Sequence, residues 1–86
     1  MKIAFEAAAF ADFTQWAEQD RKLYKRIVGL ITDIARDPYR GIGKPEPLRH
    51  DLSGYWSRRI TDEHRLVYRV DTDVLTIIAC KYHYQS

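Results

Sequence analysis

The spacing of apolar residues changes once along the chain, and the change divides it in two. "KIAFE" alternates, predicting a short first strand with Ile3 and Phe5 on one face. The alanine-rich run "AAAFADFTQWAEQ" follows. In it Phe13, Trp16 and Ala17 recur at i, i+3 and i+4, the spacing of one helix face. Glu6 before this run is a poor cap, whereas Asp20 after it breaks the helix and can cap a second. That second helix is "RKLYKRIVGLITDIARD", with Leu23, Ile27, Leu30 and Ile34 at helical spacing and charges between them. Pro38 stops it, and Asp37 before the proline is pushed toward extended geometry. "PYRGIGKPEP" has two glycines and three prolines in ten residues and reads as a loop. Beyond it the period is two. "GYWSRRI", "HRLVYRV" and "VLTIIACKY" predict strands, and "PLRHDL" is a candidate edge strand. The links "TDE" and "DTD" are short and polar, so neighbouring strands should run antiparallel.

The order is therefore strand, two helices, then three or four strands. It predicts one α+β domain over residues 1–86. A two-helix hairpin should pack on one face of a mostly antiparallel, four- or five-stranded sheet, in two layers. This layout sorts the side chains by face. Leu66, Tyr68 and Val70 should meet the helices, leaving Arg65, Val67 and Arg69 on the opposite, uncovered face. Trp56 and Ile60 want the core, which places Tyr55, Ser57 and Arg59 on the uncovered face as well. Arg58 falls in the core phase and is expected to snorkel past the sheet edge. Arg59 and Arg65 then converge on one open surface.

Composition narrows the class. At 86 residues, 45% hydrophobic and 13% aromatic, the chain is too apolar for disorder and long enough for one small domain. The net charge of +2 is a weak pointer to nucleic acid, but its distribution is uneven. Residues 1–37 carry six basic and six acidic side chains, and residues 38–86 carry eight and six. The single cysteine, Cys80, excludes an internal disulfide, fits a reducing compartment and reads as core filler within an apolar run. No signal sequence opens the chain and no apolar run reaches the roughly 18 residues of a membrane span. The expectation is a soluble cytoplasmic protein without a membrane partner.

The excess charge gathers in "KPEPLRHDLSGYWSRRITDEHRLVY", which holds four arginines, one lysine, two histidines and four carboxylates. A sheet face bearing arginines, an isolated carboxylate and a histidine resembles a site for RNA backbone cleavage. That chemistry needs a base for the 2′-hydroxyl, an acid for the departing 5′-oxygen and cations for the charge on phosphorus. Arginine suits the last role because its planar fork pairs with two phosphate oxygens. No metal or other cofactor is expected: His50, His64, His83 and Cys80 lack any recognised ligand spacing. Glu46, between Pro45 and Pro47, should lie in a stiff extended segment that aims its carboxylate; the plainer alternative is a solvated loop carboxylate. His83, between Tyr82 and Tyr84, can act as acid or base, or be a surface histidine. Tyr84 can stack on a base, donate a hydrogen bond or simply pack. Arg59 and Arg65 can instead form surface ion pairs with Asp62, Glu63 or Asp71.

"GKPEPLRHDLSGYWSRRITDEHRLVYRV" followed by "ACKYHY" closely resembles the YoeB/Txe family, within the RelE-like toxins of bacterial type II toxin–antitoxin modules. The likeness covers essentially the whole chain. It implies a ribosome-dependent endoribonuclease that cuts mRNA in the ribosomal A site. It also implies a cognate antitoxin that neutralises the toxin with a flexible, acidic segment. By the same resemblance Glu46 is the general base, Arg65 stabilises the phosphate, His83 is the general acid and Tyr84 stacks or positions a base. Arg59 is an RNA contact, and Lys44 and Arg49 join it. Expected partners are the antitoxin, the ribosome and mRNA, with homodimer formation left open. Arg49 stands where a lysine is common, and Gln85 and Ser86 extend past the usual end. The competing functional class is a non-catalytic module that binds antitoxin or ribosome and has lost cleavage.

Overall fold

Asp20 is the pivot of the helical layer. In the computed structural model, which describes residues 1–82, it alone separates helix α1 (Ala7–Gln19) from helix α2 (Arg21–Arg36). Its backbone N–H donates to the carbonyl of Trp16, and its carboxylate accepts from the N–H of Leu23 at 3.1 Å. One residue thus satisfies end groups of two helices. α1 has no such cap at its start, where Glu6 makes no side-chain bond, as its chemistry predicts. α2 ends as Pro38 requires, with Asp37 extended at φ −152° and ψ 105°. Its buried face consists of Leu23, Ile27, Leu30, Ile31 and Ile34, the four predicted positions and one more. α1 adds buried Ala9, with Phe13 and Trp16 packed against the core.

The second layer is a five-stranded sheet of β1 (Lys2–Phe5), β2 (Glu46–Pro47), β3 (Trp56–Arg59), β4 (Arg65–Asp71) and β5 (Val74–Ala79). The strand order is β1-β5-β4-β3-β2. β1 runs parallel to β5, with Ile3 opposite Leu75 and Phe5 opposite Ile77; all other neighbours are antiparallel. Leu66, Tyr68, Leu75 and Ile77 are fully buried with α2 in a single core. The fold is the expected two-layer α+β arrangement.

Three expectations need correction. The edge strand is shorter than "PLRHDL" and starts one residue before it: it is Glu46–Pro47, and His50–Leu52 forms a 3-10 turn instead. Pro47 costs the ladder nothing, because its position faces away from β3 and the Leu48 N–H still donates to the Tyr55 carbonyl at 2.8 Å; the chain turns away only at His50, which has a left-handed backbone at φ 58°. The face opposite the helices is not bare either. Ser57, Val67 and Thr76 are buried there, short side chains among the longer Tyr55, Arg65 and Arg69.

The third correction concerns Arg58, which does not snorkel but is wholly buried. Its five N–H groups meet five acceptors. Nε donates to the Tyr68 hydroxyl at 3.3 Å. One terminal nitrogen reaches the Asp33 carboxylate at 2.5 Å and the carbonyl of Ile42 at 3.1 Å. The other reaches the carbonyls of Asp37 at 2.7 Å and Arg40 at 3.1 Å. The Tyr68 hydroxyl in turn donates to the carbonyl of Pro38 at 2.5 Å. A charge can stay inside because every donor is satisfied and the carboxylate balances it.

Arg58→Met should therefore lower the unfolding free energy by about 3–5 kcal/mol, because it leaves three buried loop carbonyls without this donor and takes from Asp33 its buried cation, leaving it Arg36 and the Ile42 N–H. Equilibrium denaturation at neutral pH measures this. The hydrogen bond from Arg58, then those from Ile42 and Arg36, hold the Asp33 carboxyl down from 3.8 to about 2. A depressed folded-state value means the stabilisation is present above the unfolded value and is lost as pH falls through the folded one. The wild-type urea midpoint should drop between about pH 4 and about pH 2. Asp33→Asn should start lower and drop less across that window.

Candidate functional site

The loop from Asp37 to Pro45 carries the chain from the end of α2 to the sheet edge, and Arg58 shapes it through the carbonyls of Asp37, Arg40 and Ile42. Asp33 adds a bond from the Ile42 N–H at 3.0 Å. Gly41 is required here: a Cβ at this position would lie 1.9 Å from the Asp33 carboxylate, and its φ is 134°. The Gly43 carbonyl then accepts from the N–H of Arg59 at 2.7 Å, which delivers the chain to β3. Lys44 follows in a left-handed conformation at φ 53°. Two residues later Glu46 pairs with Ser57.

That register fixes the face. Directly paired residues of antiparallel strands project to the same side, so Glu46 shares a face with Ser57 and hence with Arg59. On the next pair of strands Arg59 stands directly opposite Arg65. A carboxylate on one strand and two guanidinium groups on the next two therefore face one surface. Glu46 and Arg59 are exposed and Arg65 is half-buried.

Two like charges in direct cross-strand register weaken a sheet. Among the described residues no ion pair relieves them. Glu63 faces His64 and Asp71 engages Arg69, so two of the three expected surface partners are turned elsewhere. Arg69 is on the same face but is committed: its Nε donates to Asp71 at 2.8 Å and its guanidinium lies 5.9 Å from the centre of the Tyr55 ring.

Lys44 and Arg49 are both exposed beside this surface. Glu46, Pro47, Leu48 and Arg49 line a shallow cavity of about 320 Å³. A larger one of about 370 Å³, between α2 and the β3–β4 turn, holds none of the expected site residues, and its carboxylate is the capping Asp20. His83 and Tyr84 lie outside the described residues. The last described residue, Tyr82, is bonded to β4: its carbonyl accepts from the N–H of Arg65 at 3.1 Å, and its N–H donates to Nδ1 of His64 at 2.8 Å. Among the described residues no group of His, Cys, Asp or Glu is placed to hold a metal ion. Cys80 is the core filler expected: it is fully buried, its thiol donates to the Ala9 carbonyl at 3.5 Å, and burial pushes its pKa up to about 12.

Two residues that organise this region escape a sequence reading. Arg58 left one trace, a charge in the apolar phase of a strand. His64 left none, because its partner is eighteen residues away.

A family profile described as the YoeB-like toxin of bacterial type II toxin–antitoxin systems matches residues 5–84. Toxin YoeB of Streptomyces coelicolor is 60% identical over 84 residues, covering 98% of this chain and all of that one. The chain belongs to the YoeB-like toxin family. Among solved structures, a YoeB/ParE toxin from Agrobacterium tumefaciens superposes with a TM-score of 0.95 at 44% identity, over 98% of this chain and all of that one. Two Staphylococcus aureus structures, a YoeB–YefM complex and a YoeB dimer, give TM-scores of 0.90 and 0.91 at 46% and 47% identity. Each covers 98% of both chains. The YoeB likeness read from the "KPEP" to "YHY" segment is thereby borne out, and the chain is a toxin of the type II toxin–antitoxin class.

If Arg59 and Arg65 face each other for function rather than stability, neutralising either should not destabilise the fold. Arg59→Gln and Arg65→Gln keep most of the side-chain stem and should leave the protein as stable as wild type, or up to about 1 kcal/mol more so. Thermal melts at low and high salt check this, and any gain should shrink with salt.

Proposed function

We propose that this YoeB-like toxin is a metal-independent endoribonuclease that cuts mRNA in the ribosomal A site and so stops translation. The observation that carries the reading is the shared sheet face of Glu46, Arg59 and Arg65, which the Glu46–Ser57 and Arg59–Arg65 registers create. Glu46 takes the proton of the 2′-hydroxyl. The 2′-oxygen then attacks phosphorus, the bond to the 5′-oxygen breaks and His83 protonates that leaving oxygen. A 2′,3′-cyclic phosphate and a 5′-hydroxyl result. Arg65 stabilises the charge that builds on the phosphoryl oxygens. Tyr84 stacks on or positions a base, and Lys44, Arg49 and Arg59 hold the RNA backbone.

A net charge of +2 gives little long-range attraction to free RNA, which favours a substrate presented by the ribosome. The cognate inhibitor is an antitoxin with a flexible acidic segment complementary to this cationic face; the S. aureus YoeB–YefM complex supports a partner of that kind. The S. aureus YoeB dimer supports self-association of this chain as well. All of these encounters take place in the cytoplasm.

Purified protein should cut message on programmed ribosomes and leave the same RNA largely intact when free, as read by primer extension. Equal cutting of both removes the ribosome from the mechanism. No cutting of either by folded protein favours a binding module.

Side-chain roles separate in single-turnover rates. Glu46→Gln and His83→Gln should each lose about 10²–10⁴ in rate. Arg65→Ala should lose about 10²–10³. Arg69→Ala, which removes a guanidinium already held by Asp71 and Tyr55, should lose far less. A Glu46→Gln variant that cuts at the wild-type rate would discard the base assignment.

A further inference from the structure

Tyr82 holds a backbone conformation that its side chain disfavours. Its φ is 62°, in the left-handed region that a bulky side chain rarely adopts. Such a residue persists only where its surroundings fix it. Three hydrogen bonds do so. The Cys80 carbonyl accepts from the Trp16 indole N–H at 3.0 Å. The Tyr82 N–H donates to Nδ1 of His64 at 2.8 Å, and the Tyr82 carbonyl accepts from the N–H of Arg65 at 3.1 Å. Consecutive residues of the β4 entry thus clamp both polar groups of one peptide unit pair. The second of these residues, Arg65, is also the candidate phosphate ligand.

His64 is built for this task. It is 8% exposed, and its ring meets the Trp16 ring edge-on, with centres 4.9 Å apart. Two N–H groups of the preceding turn, from Ile60 and Thr61, donate to its carbonyl at 3.0 and 3.1 Å, and its own N–H donates to the Thr61 hydroxyl at 3.0 Å. Backbone and ring are both fixed, so Nδ1 is presented in one place. A backbone N–H can only donate, so Nδ1 must accept and carries no proton.

We infer that His64 is a positioning residue for the candidate phosphate ligand: it holds Tyr82 in its left-handed turn, and the Tyr82 carbonyl held there accepts from the N–H of Arg65 and fixes its backbone. The inference rests on the nuclease reading above. It assigns His64 no contact with RNA. A displacement of about 1 Å at a reacting group can cost about 10² in rate, so loss of one anchoring bond is enough to matter.

The test separates the anchor from the fold. His64→Leu keeps apolar bulk against Trp16 and removes the acceptor. His64→Asn places an oxygen near the position of Nδ1 and can accept the same N–H. The first readout is hydrogen exchange at the Tyr82 amide in the protein alone, and the second is the single-turnover rate on programmed ribosomes. We expect the Tyr82 amide to be protected in wild type and His64→Asn and to exchange freely in His64→Leu. Cleavage should fall about 10²-fold in His64→Leu with ribosome affinity within a few-fold of wild type, and His64→Asn should recover most of it.

An unprotected Tyr82 amide in wild type overturns the inference whether or not either variant folds. So does a His64→Leu variant that loses protection yet cuts normally, which would leave the nuclease reading intact. Equal losses of rate in both variants, with protection kept in His64→Asn, also reject it. A wild-type protein that protects Tyr82 but cuts nothing removes the nuclease reading itself, and the catalytic meaning of the anchor with it.

Discussion

The buried guanidinium of Arg58 is the interaction on which the rest of this small protein depends. It lies between the two layers and ties α2, through Asp33, to β3, to β4 through Tyr68, and to three carbonyls of the loop that leads to the sheet edge. A loop of that length with two glycines and two prolines would otherwise have wide conformational freedom, and ordering each residue costs on the order of 1–2 kcal/mol. One planar cation with five donors in fixed directions can order several carbonyls at once, which a lysine could not. The pair with Asp33 need not add net stability over an apolar substitute of equal volume. What it adds is direction: the loop has one path, and Glu46 arrives in one register.

The candidate site is the reverse of this arrangement. Inside, every charge has its partners. Outside, Arg59 and Arg65 face each other across two strands without an ion pair among the described residues. A sheet tolerates that repulsion because hydrogen bonds that do not involve the guanidinium groups fix the backbone. The Arg59 N–H goes to Gly43, the Arg59 carbonyl accepts from Arg26 at 3.2 Å, and the Arg65 N–H goes to Tyr82. Backbone strain is shared between the site and one hairpin turn. Of the four described non-glycine residues that are left-handed, Lys44 and His50 flank the segment of Glu46 and Tyr82 precedes His83, while Thr72 closes the β4–β5 turn. The core stabilises, and the rim spends part of that stability on holding like charges and strained turns in place. An acidic antitoxin segment would find those cations already presented.

The apolar periodicity carried most of the fold. Helix faces at Leu23, Ile27, Leu30 and Ile34 and alternation at Leu66, Tyr68 and Val70 are local patterns, and burial enforces them wherever the elements end up. The stop at Pro38 and the cap at Asp20 are equally local, since each acts within a few residues of itself. The resemblance in "KPEP", "EHRLVY" and "YHY" carried the family, because a long ungapped motif is specific without any geometry.

Contacts between distant segments were not legible. Arg58 reads locally as a misplaced charge, since its acceptors lie 10 to 25 residues away along the chain. The edge strand was placed one residue too late and drawn too long, because pairing depends on which backbone groups face β3 and not on composition. His64 drew notice only as a missing metal ligand, and its value as an acceptor appears once Tyr82 is folded back onto it. By itself the sequence determined the elements, their buried faces and the family, all of which follow from spacing along one chain. Only the tertiary structure decided that Glu46 faces the same way as Arg59 and Arg65, because a one-residue slip in either strand pairing would have turned it to the other side.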